Sequence, residues 1–300
     1  MTHGADPIDE EAFDERDDEP EGARSIYVLP ATRAPVAAVF VRVPGRWWLV
    51  ARWDLQRGDL DVGAWLRGTL YPRRTDLSPD GSLLCYLLAK VDDRPFMGMT
   101  GRQVFTALSK LPWVYALAAW PEEDTLTRGH HFVDAPRWDP GEPRHGDLGR
   151  MRSRLGLALT EPVQYANERR RGWIEHPDCP PRFPGDAWDE DREAVLMKAR
   201  PGPEGAMHLV MRDRGWDPEA PGAIDGRSPE YELEIDGKTI ALDDVAWADW
   251  HPSGLLMVAT EDSRLQVREP RAGRVEPLWE RELSNLEPHP RRAPDWAQRW

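Results

Sequence analysis

Cysteine is scarce in this chain. Cys85 and Cys179 are the only two among 300 residues, and two are too few for the disulfide framework of a small secreted protein, so we expect free thiols. No run approaches the roughly 20 consecutive apolar residues that a membrane helix needs. The N-terminus carries acidic residues where a secretory signal would carry positive charge and an apolar stretch. We therefore expect a cytoplasmic protein with no membrane partner.

Catalytic and metal-binding motifs are missing as well. The sequence has no Gly-x-Ser-x-Gly elbow, no phosphate loop with its lysine, no Cys-x-x-Cys pair and no His-Glu-x-x-His motif. His130, His131 and Asp134 form its one local cluster of histidine and carboxylate. Adjacent residues of a strand point to opposite faces, so at most one of the two histidines can face an ion. We expect no metal, no cofactor and no catalytic residue.

Negative charge is concentrated at the N-terminus. The net charge of the chain is -14, and residues 1–24 hold ten acidic and two basic side chains, a net charge of -8. A segment so acidic and so poor in apolar residues cannot bury enough surface to fold, so we expect it to be disordered and to add nothing to stability. It either keeps the protein in solution or docks on a basic partner. Neither interpretation favours nucleic acid, whose phosphates would repel this charge.

Six arginines make one stretch of this acidic chain locally basic. They are Arg150, Arg152, Arg154, Arg169, Arg170 and Arg171. They lie in a segment, 134–190, that is dense in Pro, Arg, Asp and Gly and whose apolar run 155–160 is a candidate strand. Because variable loops on a rigid scaffold commonly carry function, we expect this segment to bind an anionic partner or the acidic tail of the chain itself.

Alternating and apolar runs between turn residues predict an all-β fold. Residues 47–53 have strand-like alternation with both faces largely apolar, and a Gly-containing turn leads to a second hairpin arm at 60–64. The run 83–89 predicts a buried strand. Asp236-Gly237 between two apolar-alternating segments is among the strongest hairpin signals. The 15 tryptophans supply large side chains for the core.

Two stretches of the sequence recur at related spacings. Residues 249–258 match 76–85 at an offset of 173, and residues 265–273 match 50–58 at an offset of 215. The offsets differ by 42, close to the ~40–45-residue period of a propeller blade, and they are near four and five such periods. Two coincidences of spacing therefore support one repeat.

The recurring turns carry a family resemblance. Trp53-Asp54-Leu55 with Gly58 resembles the Trp-Asp repeats of β-propellers. Ser78-Pro79-Asp80-Gly81, with its degenerate echo at 251–254, resembles the Ser-Pro-Asp-Gly type. The resemblance covers roughly residues 36–120 and 231–283. It implies a propeller-like ring of five blades, with six as the alternative.

The C-terminal segment is rich in Pro and Trp. Pro294 and Asp295 suit the start of a short helix, and one α-helical turn would place Trp296 and Trp300 on one face. So short a helix cannot hold itself together in water. The two indoles therefore dock on the body of the protein, which we expect, or anchor a partner, since Trp is enriched at interface hot spots.

These observations divide the chain into an acidic tail (1–24), a propeller-like domain (25–286) with the 134–190 insertion, and a C-terminal tail (287–300). We expect a non-enzymatic scaffold that binds a protein partner on an end face or through the insertion. An enzyme, a hydrolase or lyase with its site in the central funnel, is the alternative. Propellers host both functions, so the fold alone does not decide between them.

Overall fold

The computed structural model describes residues 24–96, 99–123, 125, 127–133, 155–179, 192–202, 207–220, 222–271 and 274–300. The acidic residues of the N-terminal tail, the arginines at 150, 152 and 154, and the larger part of the 134–190 insertion lie outside these ranges. In the described part of the chain, no helix has the length and apolar character needed to cross a membrane.

The described chain is built almost entirely from antiparallel strands that pair in chain order. Blade 1 contains β1 (Ser25–Pro30), β2 (Val36–Val43), β3 (Trp47–Asp54) and β4 (Leu60–Arg67). Blade 2 contains β5 (Thr69–Leu77), β6 (Leu83–Phe96), β7 (Met99–Lys110) and β8 (Ala118–Glu122). A connecting segment then contains β9 (His130–Phe132), β10 (Leu157–Leu159) and the helix α1 (Ala166–Arg170).

The second half of the chain forms two more sheets. Blade 3 contains β11 (Ile174–Glu175), β12 (Ala194–Ala199), β13 (Met207–Asp213), β14 (Glu230–Ile235) and β15 (Lys238–Ala241). Blade 4 contains β16 (Val245–Trp250), β17 (Leu256–Thr260), β18 (Arg264–Arg271) and β19 (Arg274–Glu282). A single 3-10 turn, Asp295–Ala297, follows near the C-terminus.

The four blades form a propeller-like ring. Strand β1 of blade 1 contacts β5 of blade 2 and β16 of blade 4, and β14 of blade 3 also contacts β16. Between blades 2 and 3, β9 packs on β5 and β6, and α1 packs on β5. The expected count of five or six blades is not supported, since the described chain forms four.

The blade count was overestimated because the spacing between repeats is not uniform. Even blades 1 and 2 are not spaced by 42, since β2 begins at Val36 and its counterpart β6 at Leu83, 47 residues later. Residues 50–58 and 265–273 both join the third strand of a blade to the fourth, and residues 76–85 and 249–258 both join the first to the second. Between blades 2 and 3, the described residues contain β9, β10 and α1 and no further four-stranded sheet. Dividing the offsets of 173 and 215 by one period gave four and five steps, where the described chain has two steps from blade 2 to blade 4 and three from blade 1 to blade 4.

The two matching turns are held by side chains in equivalent places. The hydroxyl oxygen of Ser78 accepts the backbone N–H of Leu83 at 2.9 Å, and the hydroxyl donates to Asp80 at 2.6 Å. In blade 4, Nδ1 of His251 accepts the backbone N–H of Ser253 at 3.1 Å. A side chain at the first position of each turn thus replaces backbone partners that the tight turn cannot provide.

The strands of blade 1 form the centre of the largest core cluster. The predicted strand at 47–53 is confirmed as β3, most of which is buried, with Trp53 completely buried. Its indole stacks on that of Trp279 in β19 with ring centroids 5.2 Å apart, which joins blade 1 to blade 4. The Asp236-Gly237 hairpin is also confirmed, because both residues have positive φ, as a two-residue type I′ turn requires.

The C-terminal tail follows a path different from the one expected. Its single turn is a 3-10 helix, which has three residues per turn, so the α-helical rule that would place Trp296 beside Trp300 does not apply. Trp300 packs against the apolar cluster of blade 2, whereas Trp296 is 52% exposed. Lys110 donates to the backbone carbonyl of Trp296 at 2.9 Å and fixes the tail on blade 2.

The two tryptophans should therefore contribute unequally to stability. Trp300→Ala should lower the free energy of unfolding by about 2–3 kcal/mol, since it removes a packed indole. Trp296→Ala, the matched control on the same tail, should change it by no more than about 0.5 kcal/mol. Urea unfolding of both variants measures this difference. Equal effects of the two substitutions would contradict the observed packing.

Candidate functional site: an arginine pocket at the centre of the ring

Helix α1 lies where the inner strands of the ring converge, and its side chains connect them. One carboxylate oxygen of Glu168 accepts the hydroxyl of Tyr27 at 3.1 Å and the guanidinium of Arg73 at 3.0 Å. The amide of Asn167 donates to the carbonyl oxygens of Arg73 and Thr75, at 3.0 and 2.7 Å. Burial, and then the charge of Glu168, raises the pKa of Tyr27 well above its usual value, so its hydroxyl remains a donor.

A second ion pair continues this network at the end of α1. Arg171 donates to Asp76 at 2.7 Å and to the carbonyl of Pro30 at 2.7 Å. The other carboxylate oxygen of Asp76 accepts the backbone N–H of Phe132 at 2.9 Å. Both members of the pair are about 6% exposed, and such buried charges require this degree of pairing. We call Tyr27, Arg73, Asp76, Asn167, Glu168 and Arg171 the central hub.

An irregularity in β5 brings its backbone to α1. Strand β5 pairs regularly with β6 up to Tyr71 and again from Asp76, but four residues between them, 72–75, face a single residue of β6. Extra residues of this kind bend a strand and redirect its side chains. Here Arg73 enters the central hub, and Arg74 donates to the carbonyls of the segment that precedes β9.

Beside the central hub lies a pocket of about 570 Å³, measured with its open mouth. Its walls come from β5, the segment before β9, the segment after β10, α1 and the loop before β14. The lining residues are Arg73, Arg74, Arg128, Thr160, Val163, Gln164, Tyr165, Ala166, Glu168, Asp225 and Arg227. Four are arginines and two are acidic, so positive charge predominates, and we call this the arginine pocket.

A tight turn from blade 3 forms one wall of the pocket. Ile224 and Arg227 exchange backbone hydrogen bonds of 2.9 and 3.1 Å around Asp225 and Gly226, which have φ values of 53° and 72°. The carboxylate of Asp225 accepts the backbone N–H of Arg73 at 2.8 Å. Burial raises the pKa of Asp225 to about 6, against the opposing effects of that hydrogen bond and of the neighbouring arginines.

Arg128, in the segment before β9, also lines the pocket. It is followed by Gly129, whose φ is 74°, and a Cβ at Gly129 would lie 2.3 Å from the carbonyl oxygen of Arg74. Only glycine permits this close approach of the two chain segments. Arg128 is partly exposed, and we find no hydrogen bond or ion pair between it and any residue that the structure describes. Its guanidinium therefore retains its hydrogen-bonding capacity.

Tyr165 lines the pocket and contacts Arg73 of the central hub. Tyr165 is 8% exposed, and the guanidinium carbons of Arg73 and Arg227 lie 5.1 and 5.8 Å from the centroid of its ring. Its hydroxyl is buried with no hydrogen-bond partner in the described part of the chain. Burial raises the pKa of Tyr165 well above its usual value, so the hydroxyl stays protonated and can donate.

The structure describes three of the six arginines predicted to bind a partner. Arg169 donates to Glu175 at 3.0 Å, Arg170 donates to Glu161 at 2.8 Å, and Arg171 belongs to the central hub. All three therefore have internal partners, and their role in binding another molecule stays a prediction. Trp296 and Trp300 lie on blade 2, away from these arginines.

The two adjacent histidines lie in β9, and both are buried. Nε2 of His131 lies 3.8 Å from a carboxylate oxygen of Glu161. Burial, and then the charge of Arg170, lowers the pKa of His131, which favours the neutral imidazole. Among the residues that the structure describes, no three His, Cys, Asp or Glu side chains are grouped so that they could hold a metal ion.

Comparison with known proteins identifies no family for this chain. No protein-family model matches it, and no curated protein matches it. Its function has to be argued from the geometry of the ring and its pocket.

Sequence reasoning missed the residues of the arginine pocket. One signal was available: Pro72 followed by two arginines interrupts a strand-like stretch, and proline inside a strand commonly marks an irregularity. A second was Asp225-Gly226, the same dipeptide as in the predicted hairpin turn. Arg128 and Tyr165 offer no comparable local signal.

The raised pKa of Asp225 predicts a pH-dependent effect of Asp225→Asn. The folded-state pKa, about 6, lies above the ordinary value of 3.8, so the wild-type protein loses stability as the pH rises between these values and does not regain it above them. Asparagine keeps the acceptor, tolerates positive φ and carries no charge. The substitution should stabilise the protein at pH 7.5 and have much less effect at pH 4.5. Urea unfolding at the two pH values tests this, and an equal effect at both would disprove the shift.

Proposed function

We propose that this chain is a non-enzymatic, propeller-like scaffold that binds a protein partner, and that the partner contacts the end of the ring on which the arginine pocket opens. The observation that carries this proposal is the contrast between the paired central hub and two groups of the pocket, Arg128 and the Tyr165 hydroxyl, that have no partner among the described residues. Ring-shaped β scaffolds commonly present their loops and end faces to ligands.

The paired centre favours binding over catalysis. Arg73 pairs with Glu168, and Arg171 pairs with Asp76. Asp76 also accepts a backbone N–H, and Arg171 also donates to a backbone carbonyl. A general acid or base must reach a proton of the substrate, whereas these groups are engaged with each other. A hydrolase or lyase using the central funnel, the alternative raised by the sequence, therefore has less support.

The pocket supplies groups suited to recognition. Arg128 and the hydroxyl of Tyr165 are donors without partners in the described chain. A planar guanidinium at an interface is a frequent binding hot spot. We include in this proposal the finer expectations from the sequence: that the blades are degenerate Trp-Asp and Ser-Pro-Asp-Gly repeats, and that the protein acts in the cytoplasm.

Affinity capture with matched baits tests the proposal. The wild-type protein, Arg128→Ala and the control Arg57→Ala, which changes an exposed arginine in the β3–β4 turn outside the pocket, are each used to capture proteins from native lysate for quantitative mass spectrometry. A bound partner should be enriched by the wild type and by Arg57→Ala. It should be depleted about tenfold or more with Arg128→Ala, because a charge-assisted hydrogen bond contributes about 1.5–3 kcal/mol.

Two results would count against this function. The first is that no protein is enriched on the wild-type bait over an empty matrix. The second is that Arg128→Ala, shown by circular dichroism to be folded, captures the same proteins in the same amounts as the wild type.

A further inference from the structure

We infer that the arginine pocket binds a carboxylate, and that this carboxylate is the side chain of a Glu or Asp on the protein partner. The inference rests on the proposed function and names the chemistry by which the partner is recognised. It is carried by two donors that have no acceptor among the residues the structure describes, Arg128 and Tyr165, both of which line one pocket.

The unsatisfied hydroxyl of Tyr165 points to a missing acceptor. Buried polar groups in folded proteins are almost always hydrogen-bonded, and exceptions call for an explanation. The hydroxyl keeps its proton because burial raises its pKa. Arg73 and Arg227 lie over the ring of Tyr165, and their charges are offset by their carboxylate partners. The hydroxyl therefore calls for an oxygen acceptor, and Arg128 decides the charge of that acceptor.

Arg128 provides the positive charge that an anion needs. Arg73 is paired with Glu168 at 3.0 Å and Arg227 with Asp213 at 2.5 Å, so these two arginines are already neutralised. Arg128 makes no such pair with the described residues. Its guanidinium presents parallel N–H groups that match the two oxygens of a carboxylate.

The acidic side chain of Asp225 favours a carboxylate over a phosphate. Asp225 lines the wall and accepts a backbone N–H, whereas the other acidic side chain there, Glu168, is paired with Arg73. A phosphate carries close to two negative charges at neutral pH, and the carboxylate of Asp225 would repel it more strongly than a group with one charge. A carboxylate carries one negative charge, which one unpaired guanidinium can neutralise.

A pair of small probes tests the inference on the full-length protein. The probes are N-acetylglutamic acid N-methylamide, called capped glutamate, and the corresponding capped glutamine, which has the same shape without the charge. Binding is measured by saturation-transfer difference NMR at low ionic strength, where exposed charges are least screened. We expect capped glutamate to bind the wild type and capped glutamine to bind at least tenfold more weakly.

Three variants locate the bound carboxylate. Arg128→Ala should weaken the binding of capped glutamate at least tenfold, and the control Arg57→Ala should leave it unchanged. Tyr165→Phe should weaken it severalfold without lowering the melting temperature of the free protein, because the removed hydroxyl has no partner there. A purely structural tyrosine would show the opposite pattern, with lower stability and unchanged binding.

Several outcomes would overturn the inference. They are no saturation of capped glutamate by the wild type, unchanged binding to Arg128→Ala, and displacement of capped glutamate by inorganic phosphate at a lower concentration than by glutarate. Binding of free glutarate without capped glutamate would assign the pocket to a small acid and not to a partner side chain.

The two proposals fail separately. If a partner is captured through Arg128 but capped glutamate does not bind, the carboxylate assignment is wrong and the scaffold function stands. If capped glutamate binds through Arg128 and no partner is captured, the pocket chemistry is supported and the scaffold function is wrong.

Discussion

Burial of charged groups at the centre of the ring is the constraint on which the rest of the structure depends. Helix α1 packs on β5 and brings Asn167, Glu168 and, just beyond the helix, Arg171 to partners on β1 and β5. Because an unpaired buried charge is far more costly than a paired one, each of these side chains requires its partner on a blade. The pairing thereby fixes where blades 1 and 2 stand relative to the connecting segment.

The same constraint produces the pocket. The extra residues in β5 that bring Arg73 to Glu168 also turn Arg74 towards the segment before β9, and Gly129 lets that segment approach β5 closely. The central hub leaves no described charge of its own unpaired, whereas Arg128 and the Tyr165 hydroxyl have no partner among the described residues. Arg73 and Glu168 belong to the hub and also line the pocket, so the two share a wall.

Local sequence patterns predicted the strands but not how many blades form or which contacts join them. The alternation at 47–53 and the Asp236-Gly237 turn were interpretable because neighbouring residues determine them. The blade count failed because the described blades are not evenly spaced along the chain: β9, β10 and α1 stand between β8 of blade 2 and β11 of blade 3. The central hub could not be foreseen, since Arg171 and Asp76 are 95 residues apart and nothing in either neighbourhood specifies the other. The unequal burial of Trp296 and Trp300 followed from a 3-10 turn, which the α-helical spacing rule does not describe.

The free energy of unfolding of Glu168→Gln tests most directly whether the paired hub holds the ring together. This variant leaves Arg73 buried without a carboxylate, and a buried ion pair broken on one side costs about 3–5 kcal/mol. Glu175→Gln breaks the matched pair with Arg169, where the Glu175 side chain is 45% exposed, and should cost no more than about 1 kcal/mol. The account predicts this large difference in urea unfolding. Equal and small losses in the two variants would contradict it.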